Sequence, residues 1–331
     1  MAEQLVKKQH FVPRTYLKHF SVKRGDNYFV KALPKSNPTP ASIIEKNIKK
    51  ICFEEHLYTL PGQTVAEKML LEKFYSTEFE SHYNDVYGML TDPNKKTLTD
   101  PERELIIGTV STMLYRVPVW IKRHNELMRR VFSMAFEYAE MTGKDDFIYE
   151  GQRISIKGKT LEEFLEEHEA ATQPGKVITQ LEVAMKLIPV RLQNDNIFIV
   201  RLEDDSEFIT NDNPVVIQNL SGGPIQPFDP TNILKLPLDN KHVLMLMPFG
   251  DKENRHIVSR DHRSGIMCKR EAVITNAEMF RQSDMYVLGS DSSLTKYLEL
   301  KQLMEEPQEF DADGNLKPEV IAQLKAHGLI A

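Results

Sequence analysis

The pattern of apolar and polar residues predicts helices through most of the first 190 positions. Apolar residues recur at helical spacing over 65–90. A longer helical pattern begins at 99–102 (Thr-Asp-Pro-Glu), which offers a capping side chain, a first-turn proline and an acid for the helix N-terminus. It continues to Met141, with Gly143 as a stop, and Pro118 predicts a kink or two separate helices. Further helices are predicted after a capping box at 160–163, over 177–187, and over 294–304 and 318–329.

Strand patterns are concentrated after residue 190. The segments 197–202 and 207–210 flank an acidic turn, as the two strands of a hairpin would. Two more strands are predicted over 233–238 and 242–247, and one near the start of the chain, over 27–33. The chain is therefore predicted to be α+β, with a helical N-terminal half packed against a mainly antiparallel sheet from the C-terminal half.

The chain has 331 residues, which is enough to bury a substantial core. No flexible linker separates the helical patterns from the strand patterns. We therefore expect a single α+β domain over 1–305, with its helical part at about 1–190 and its sheet part at about 191–290. Residues 306–331 are expected to form a C-terminal tail with a short helix.

Composition excludes several classes of protein but does not identify one. Hydrophobic residues make up 41% and charged residues 27%, and no apolar run reaches the roughly 18 residues of a membrane span. The first residues lack the apolar core of a signal peptide, and Cys52 and Cys268 have no cysteine close in sequence. We therefore predict a cytoplasmic protein with reduced thiols and no membrane partner. A net charge of −6 disfavours a globally basic nucleic-acid binder but leaves room for a local basic patch.

The segment 9–20 carries several polar side chains around a proline, close to the start of the chain. From that proline a short helix is predicted through residue 20. His10 has three interpretations, as a metal ligand, a general base or a buried histidine with satisfied hydrogen bonds. Gln9, Arg14 and Tyr16 are expected to bind substrate, and Tyr16 is also expected to orient His10.

Two glutamates fall on the apolar face of the predicted helix over 65–90. A helical wheel at about 100° per residue places Glu72 and Glu80 there, where a carboxylate is costly unless it is paired, bound to metal or protonated. Their separation corresponds to about 12 Å along the axis, so we expect each to meet a different group. They are either structural partners of arginines or ligands of a divalent cation.

Arg116 lies two residues before Pro118. Its guanidinium cannot lose its charge, so a buried position would need a carboxylate such as Glu72 or Glu80, or a phosphate group. Both a structural ion pair and an anion clamp in a pocket fit the sequence. If the helix ran through the proline, Arg116 would share a face with Leu127, Val131, Met134 and Tyr138.

Asp212 is placed at the end of a predicted strand, in the segment Phe-Ile-Thr-Asn-Asp-Asn-Pro-Val. Pro214 stops the strand, and Asn or Asp residues at such a position favour an Asx-type turn. Asp212 is therefore either part of a turn or a rigidly held acid that ligates a metal or acts as a base. Asn213 is a candidate for substrate binding beside it.

Two sequence blocks resemble the signature of a microbial family that is catalogued as a domain of unknown function, number four-two-three-eight. The first resembles its Gln-His-x-x-Pro-x-x-Tyr-Leu-x-x-Phe motif, and the second its Phe-Ile-Thr-Ser-Asp-x-Pro-Val motif, with Asn211 in place of the serine. The resemblance covers about 9–290 and implies no established activity. It does imply that His10, Arg116 and Asp212 are neighbours in space. The matching residues are Gln9, His10, Pro13, Tyr16, Leu17 and Phe20 in the first block and Phe208, Ile209, Thr210, Asp212, Pro214 and Val215 in the second.

Two functions fit these residues. The first is a metal-dependent hydrolase of a phosphate-containing substrate, such as a nuclease or a nucleotide hydrolase. Asp212 and one of Glu72 or Glu80 would hold Mg²⁺ or Mn²⁺, His10 would be a base or ligand, and Arg116 would stabilise charge on the phosphate. The alternative is a non-enzymatic module that binds nucleic acid or protein, in which the same charges form a buried structural network.

Overall fold

The computed structural model describes residues 5–219, 222, 225–226, 228–248, 250, 252–305 and 317–326. These residues form a mixed α/β fold with several antiparallel sheets, as the coarse fold class predicted. The helices are α1 (Arg14–Leu17), α2 (Val65–Lys68), α3 (Leu70–Glu78), α4 (Tyr83–Thr91), α5 (Asp100–Tyr115), α6 (Val119–Thr142), α7 (Leu161–Asn194), α8 (Gly265–Gln282), α9 (Asp291–Glu305) and α10 (Pro318–Ala326). The strands are β1 (Lys8–His10), β2 (Val22–Arg24), β3 (Asn27–Pro34), β4 (Ile44–Asn47), β5 (Phe53–Glu55), β6 (Asp146–Tyr149), β7 (Gln152–Ser155), β8 (Asn196–Leu202), β9 (Thr210–Asn211), β10 (Val216–Gln218), β11 (Ile233–Pro237), β12 (His242–Met247), β13 (Val258–Arg263) and β14 (Tyr286–Gly289).

The strands of the second half form a five-stranded sheet in the order β10-β11-β12-β8-β13. Adjacent strands in this sheet are antiparallel except β8 and β13, which run parallel. The strands predicted over 233–238 and 242–247 are confirmed as β11 and β12. They pair with each other directly.

A second sheet joins the two ends of the chain. Its order is β2-β3-β14-β9, and β4 also pairs with β3. The strand predicted over 27–33 is confirmed as β3. It pairs with β14, which lies near the end of the segment 9–290 that resembles the family. Strands from the first 50 residues therefore lie beside strands from beyond residue 200, and the two halves of the chain interleave.

The predicted hairpin of 197–202 with 207–210 is wrong. β8 is already flanked by β12 and β13, so both of its edges are taken. After the acidic turn the chain crosses to the other sheet, where β9 pairs with β14. The crossing is fixed by Asn276, whose side-chain oxygen accepts a hydrogen bond from the Ile209 N–H at 2.9 Å.

The predicted single helix over 65–90 is also wrong, because the segment is broken at Met69 and Phe79. Met69 has φ −100° and ψ 9°, and Phe79 has φ −128° and ψ −52°. A short 3-10 turn at 80–82 follows Phe79 before α4 begins. The Phe79 ring packs on α5 so closely that a Cβ at Gly108 would lie 2.8 Å from it. The packing of the Phe79 ring against α5 thus coincides with the break in the helix.

The predicted helix boundaries around the prolines and caps are largely confirmed. Thr99 and Thr160 both cap helices in capping boxes, and Gly143 ends α6 in the left-handed conformation. The break at Pro118 gives two helices, α5 and α6. The two helical segments predicted over 160–187 form one helix, α7, which continues through Pro174 and Pro189.

The largest hydrophobic cluster draws on both sheets and on α3, α4, α5 and α7. A separate cluster, with Phe132 and Phe164 among its buried members, lies between α6, α7 and the β6–β7 hairpin. α9 confirms the helix predicted over 294–304, and α10 begins at the predicted position. The rest of the predicted tail, 306–316 and 327–331, lies outside the described residues. Among the described helices, none combines the length and the apolarity that a membrane span requires.

Candidate active site

The N-terminal signature is held to the body of the protein by a short strand pair and by one buried amide. β1 pairs with β5, which sets His10 opposite Phe53. The Gln9 side chain is fully buried, and its oxygen accepts a hydrogen bond from the Tyr58 N–H at 2.6 Å. Its amide nitrogen donates to the Thr59 hydroxyl at 3.2 Å. Gln9 was predicted to bind substrate, but in the structure its polar atoms anchor β1.

A pocket of about 560 Å³ opens beside this strand pair. Strand β1, helix α1, helix α3 and the 3-10 turn after Phe79 all contribute to its wall. Glu80 follows the break at Phe79, and both predicted glutamates line this one pocket, whereas a continuous helix would separate them by about 12 Å along its axis. The side chains that line it are Val6, Lys8, His10, Arg14, Lys49, Val65, Met69, Glu72, Lys73, Ser76 and Glu80.

Two buried polar atoms of this pocket have no hydrogen-bond partner among the described residues. They are His10 Nε2 and Glu72 Oε2. Buried polar atoms are nearly always satisfied in native proteins, so unpaired ones call for an explanation such as a ligand or a catalytic role. Their presence in one pocket marks the place where a bound molecule would meet the protein.

Burial also shifts the proton affinity of both groups. It raises the pKa of Glu72 to about 7, with Arg116 opposing the rise and Glu80 adding to it. Burial, together with the charge of Arg14, lowers the pKa of His10 to about 4, against opposing effects of Glu80 and the Ile48 backbone. At neutral pH His10 is therefore uncharged, and Glu72 is partly protonated.

Arg116 lies beneath the pocket rather than in its lining. It caps the end of α5 with a fully buried side chain and donates to Glu80 Oε1 at 2.7 Å and to the His10 carbonyl oxygen at 2.7 Å. The guanidinium also lies over the rings of Tyr75 and Tyr58. The ion pair proposed between Arg116 and one of the glutamates is thus present. Its geometry makes Arg116 a positioning residue for β1 and Glu80.

The condition under which Arg116 would share a face with Leu127 and its neighbours is not met. α5 ends at Tyr115, so the helix does not run through Pro118. Arg116 is buried, whereas Leu127, Met134 and Tyr138 on α6 are exposed.

The outer part of the pocket is basic. Lys8, Arg14, Lys49 and Lys73 line it, against only two carboxylates, one of which is paired with Arg116. Lys8 lies over the Phe53 ring, and Lys49 donates to Asn27. A chain with a net charge of −6 therefore has a local cationic opening that suits an anionic ligand.

Asp212 lies outside the pocket, and its carboxylate is already fully engaged. Its Oδ1 accepts the Asp284 N–H at 2.8 Å, and its Oδ2 accepts those of Met285 at 2.6 Å and Tyr286 at 2.9 Å. Burial raises the pKa of Asp212, and the three N–H donors oppose that rise. We call this arrangement the Asp212 clasp, and it fastens the end of β9 to the start of β14.

Tyr16 and Asn213, also predicted to bind substrate, lie outside the pocket and make contacts within the fold, although Asn213 Oδ1 has no hydrogen-bond partner among the described residues. The Tyr16 hydroxyl contacts Thr210 Oγ1 at 2.5 Å and donates to the Pro237 carbonyl at 2.9 Å, so it does not touch His10. Asn213 donates to the Gln282 carbonyl at 3.2 Å from a buried side chain. These contacts join the two signature blocks to each other and to the sheets.

The structure therefore brings together His10, Arg14, Glu72, Glu80 and Arg116, and it places Asp212 elsewhere. Sequence reasoning missed the pocket lysines. Lys7–Lys8 and Lys49–Lys50 were visible as basic pairs, but nothing in the sequence showed that β1 and the turn before β5 are adjacent. Within the part of the chain that the structure describes, no group of three or more His, Cys, Asp or Glu side chains is arranged to hold a metal ion.

The family model for a protein of unknown function, DUF4238, matches residues 8–293. The chain belongs to this family. No curated protein and no solved structure gives a match.

Proposed function

We propose that the pocket is the active site of a hydrolase that acts on a phosphate-containing substrate, either a nucleotide or a nucleic acid. The observation that carries the proposal is the pair of unpartnered buried atoms, His10 Nε2 and Glu72 Oε2, inside a cationic opening. Arg14, Lys8 and Lys49 supply the charge that would bind phosphate oxygens.

Glu72 is the group that moves the proton in this scheme. With a pKa of about 7 it is partly ionised at neutral pH, close to the optimum for a general base. It takes a proton from water as the water oxygen attacks phosphorus. The same proton then passes to the leaving oxygen as the phosphorus–oxygen bond breaks, which yields an alcohol and a phosphate. The neutral His10 accepts a hydrogen bond at Nε2 from the second O–H of the water and so orients it.

Metal dependence is a separate part of the proposal. Mg²⁺ commonly binds through one or two carboxylates together with phosphate oxygens of the substrate. Glu80 is the carboxylate of this pocket that is left for this role, through Oε2, because its Oε1 is paired with Arg116 and Glu72 acts as the base. Mg²⁺ or Mn²⁺ is therefore expected to act only with substrate present. Asp212 is not part of this version, because its oxygens are occupied by backbone donors.

The test is turnover of a phosphomonoester, a phosphodiester and a panel of nucleotides and oligonucleotides, each with EDTA, Mg²⁺ or Mn²⁺. Glu72→Gln is expected to lower the rate by about 10²-fold or more and to remove an ionisation near pH 7 from the pH–rate profile. Glu78→Gln is the matched control, because Glu78 lies on the same helix but is exposed and outside the pocket. Equal loss in both variants, or no turnover of any phosphate ester, would refute the hydrolase.

The non-enzymatic alternative is favoured by one specific observation. Gln9, Tyr16, Arg116 and Asp212 all use their polar atoms to tie the signature blocks to the body of the protein. If nucleotides or oligonucleotides bind without turnover, and Arg14→Ala weakens that binding, the pocket is a binding site of such a module.

A further inference from the structure

Helix α6 buries one face and leaves an apolar stripe on the other. Ile121, Phe132 and Ala139 are buried on its inner face. The stripe on the outer face consists of Leu127, Val131, Met134, Tyr138 and Met141, and four of these are more than half exposed: Leu127 (55%), Met134 (63%), Tyr138 (58%) and Met141 (86%). A contiguous apolar surface of this kind on a water-facing helix usually marks an interaction site.

The stripe has the spacing of a coiled-coil seam. Successive members are four, three, four and three residues apart, which is the a/d pattern of a heptad repeat. On a helical wheel they fall within an arc of about 80°, and they extend for about 21 Å along the axis. In heptad terms Leu127, Met134 and Met141 occupy d positions, and Val131 and Tyr138 occupy a positions.

We infer that this stripe packs against the same stripe of a second copy of the chain, with the two helices antiparallel. In an antiparallel pair each a residue faces a d residue of the other helix. Val131 then faces Met134 of the second copy, and Tyr138 faces Leu127. A twofold axis close to position 132 relates the two helices, so every contact occurs twice.

The charges beside the stripe select this partner and this direction. Arg130 and Glu137 are the g positions that flank it. Both are exposed, and neither has an ion-pair partner among the described residues. In the register set by the apolar contacts, Arg130 of one copy lies beside Glu137 of the other, and Glu137 lies beside Arg130. The helix is therefore complementary in charge to itself.

The parallel arrangement lacks this complementarity. In a parallel pair the g residues would lie beside e residues of the partner, which here include Ala135 and Thr142 and carry no charge. Both Arg130 and Glu137 would then remain without an opposite charge. The antiparallel arrangement pairs four of the five stripe residues and the two flanking charges in a single register.

The stripe also lies where a second copy can reach it. The part of α6 that carries the stripe packs in the separate cluster with α7 and the β6–β7 hairpin, whereas the first turn of the helix, at Ile121, joins the main core. A 24-residue helix is about 36 Å long. Two facing helices of that length form a small interface compared with the roughly 1,200–2,000 Å² of stable complexes, so we expect a reversible dimer whose population depends on concentration.

Sedimentation equilibrium over a concentration series tests the inference on the full chain. Met134→Glu is expected to leave the protein monomeric at all concentrations. Arg130→Glu places two like-charge contacts in the interface and is expected to raise the dimer dissociation constant about tenfold or more. The double variant Arg130→Glu/Glu137→Arg restores opposite charges and is expected to recover most of the affinity.

Glu140→Arg is the matched control, since Glu140 is exposed on α6 but outside the seam. It should leave dimerisation unchanged. A wild-type protein that stays monomeric throughout the series would overturn the inference. So would a dimer that Met134→Glu does not weaken, or a charge swap that fails to rescue Arg130→Glu.

Disulfide cross-linking then tests the direction of the helices. An equimolar mixture of the Val131→Cys and Met134→Cys variants should yield the mixed disulfide as the main product, because these positions face each other in the antiparallel pair. Predominance of the two homodimeric disulfides would indicate a parallel pair and contradict the inference. Cys52 and Cys268 are buried and do not compete.

Discussion

Replacing Asp212 by asparagine separates a structural role for this residue from the metal-binding role that its sequence context suggests. The carboxylate is 2% exposed and accepts three backbone N–H bonds, from Asp284, Met285 and Tyr286. Asparagine has nearly the same shape but only one acceptor oxygen. Its amide group must therefore face at least one of the N–H donors that the carboxylate now satisfies.

The expected cost follows from these contacts. If the asparagine oxygen takes the place of Oδ2, the Asp284 N–H is left buried without a partner, which costs about 1–3 kcal/mol. The two remaining bonds lose their charge assistance, at about 1 kcal/mol each. Removing a buried charge offsets part of this loss. The free energy of unfolding should fall by about 2–4 kcal/mol.

Thermal and urea unfolding of the wild type and of Asp212→Asn, each with EDTA and with Mg²⁺, measures this difference. The matched control is Asp205→Asn, because Asp205 is exposed and its ion pair with Lys296 lies in solvent, where such pairs contribute little to stability. The structural account requires the Asp212→Asn loss in EDTA as well as in Mg²⁺. A variant as stable as the control in EDTA, with a Mg²⁺-induced stabilisation seen in the wild type alone, would refute it and restore Asp212 as a metal ligand.

Three further predictions concern packing and protonation. Gly108→Ala should destabilise the protein by about 1–3 kcal/mol although alanine has the better helix propensity, because the new Cβ would lie 2.8 Å from the Phe79 ring. In Gly88→Ala, in α4, the new Cβ meets nothing within 4 Å, so this variant should be more stable by up to about 1 kcal/mol. Urea unfolding of the two variants measures both differences. The pKa of Glu72 is raised from 4.5 to about 7, so the wild type should lose stability as pH rises between these values. Glu72→Gln cannot ionise, so over the same interval it should become more stable relative to the wild type. Equal pH dependence of stability in both proteins would contradict this. The pKa of His10 is lowered from 6.5 to about 4, so the wild type should lose stability as pH falls through that interval, and His10→Gln should lack that loss in melts from pH 7 to pH 4.

Local signals in the sequence were reliable where a helix end depends on the residues beside it. The capping boxes at Thr99 and Thr160 and the stop at Gly143 appear in the structure as expected. Such signals act through hydrogen bonds and backbone conformations within one turn, so tertiary contacts seldom override them. The errors arose where a distant contact decides the outcome. The predicted hairpin failed because β12 and β13 take both edges of β8.

The candidate site was only partly accessible to sequence reasoning. His10, Glu72, Glu80 and Arg116 were all singled out, and they lie together. Asp212 was singled out for the same reasons, a polar residue in an ordered motif, and it forms a clasp instead. A motif indicates that a residue has a role. Whether that role is structural or functional depends on which donors surround the side chain.

Residue types and their spacing predicted the mixed fold class, the family, the apolar stripe of α6 and the helix ends that local caps set, but they did not predict α8. These features depend on residue type and on spacing along the chain, which the sequence contains in full. Only the packed structure shows that Glu72 and Glu80 share a pocket, that Lys8 and Lys49 border it, and that the α6 stripe faces solvent. Each depends on how segments far apart in the chain approach one another, and burial and charge take their values only after those segments have packed.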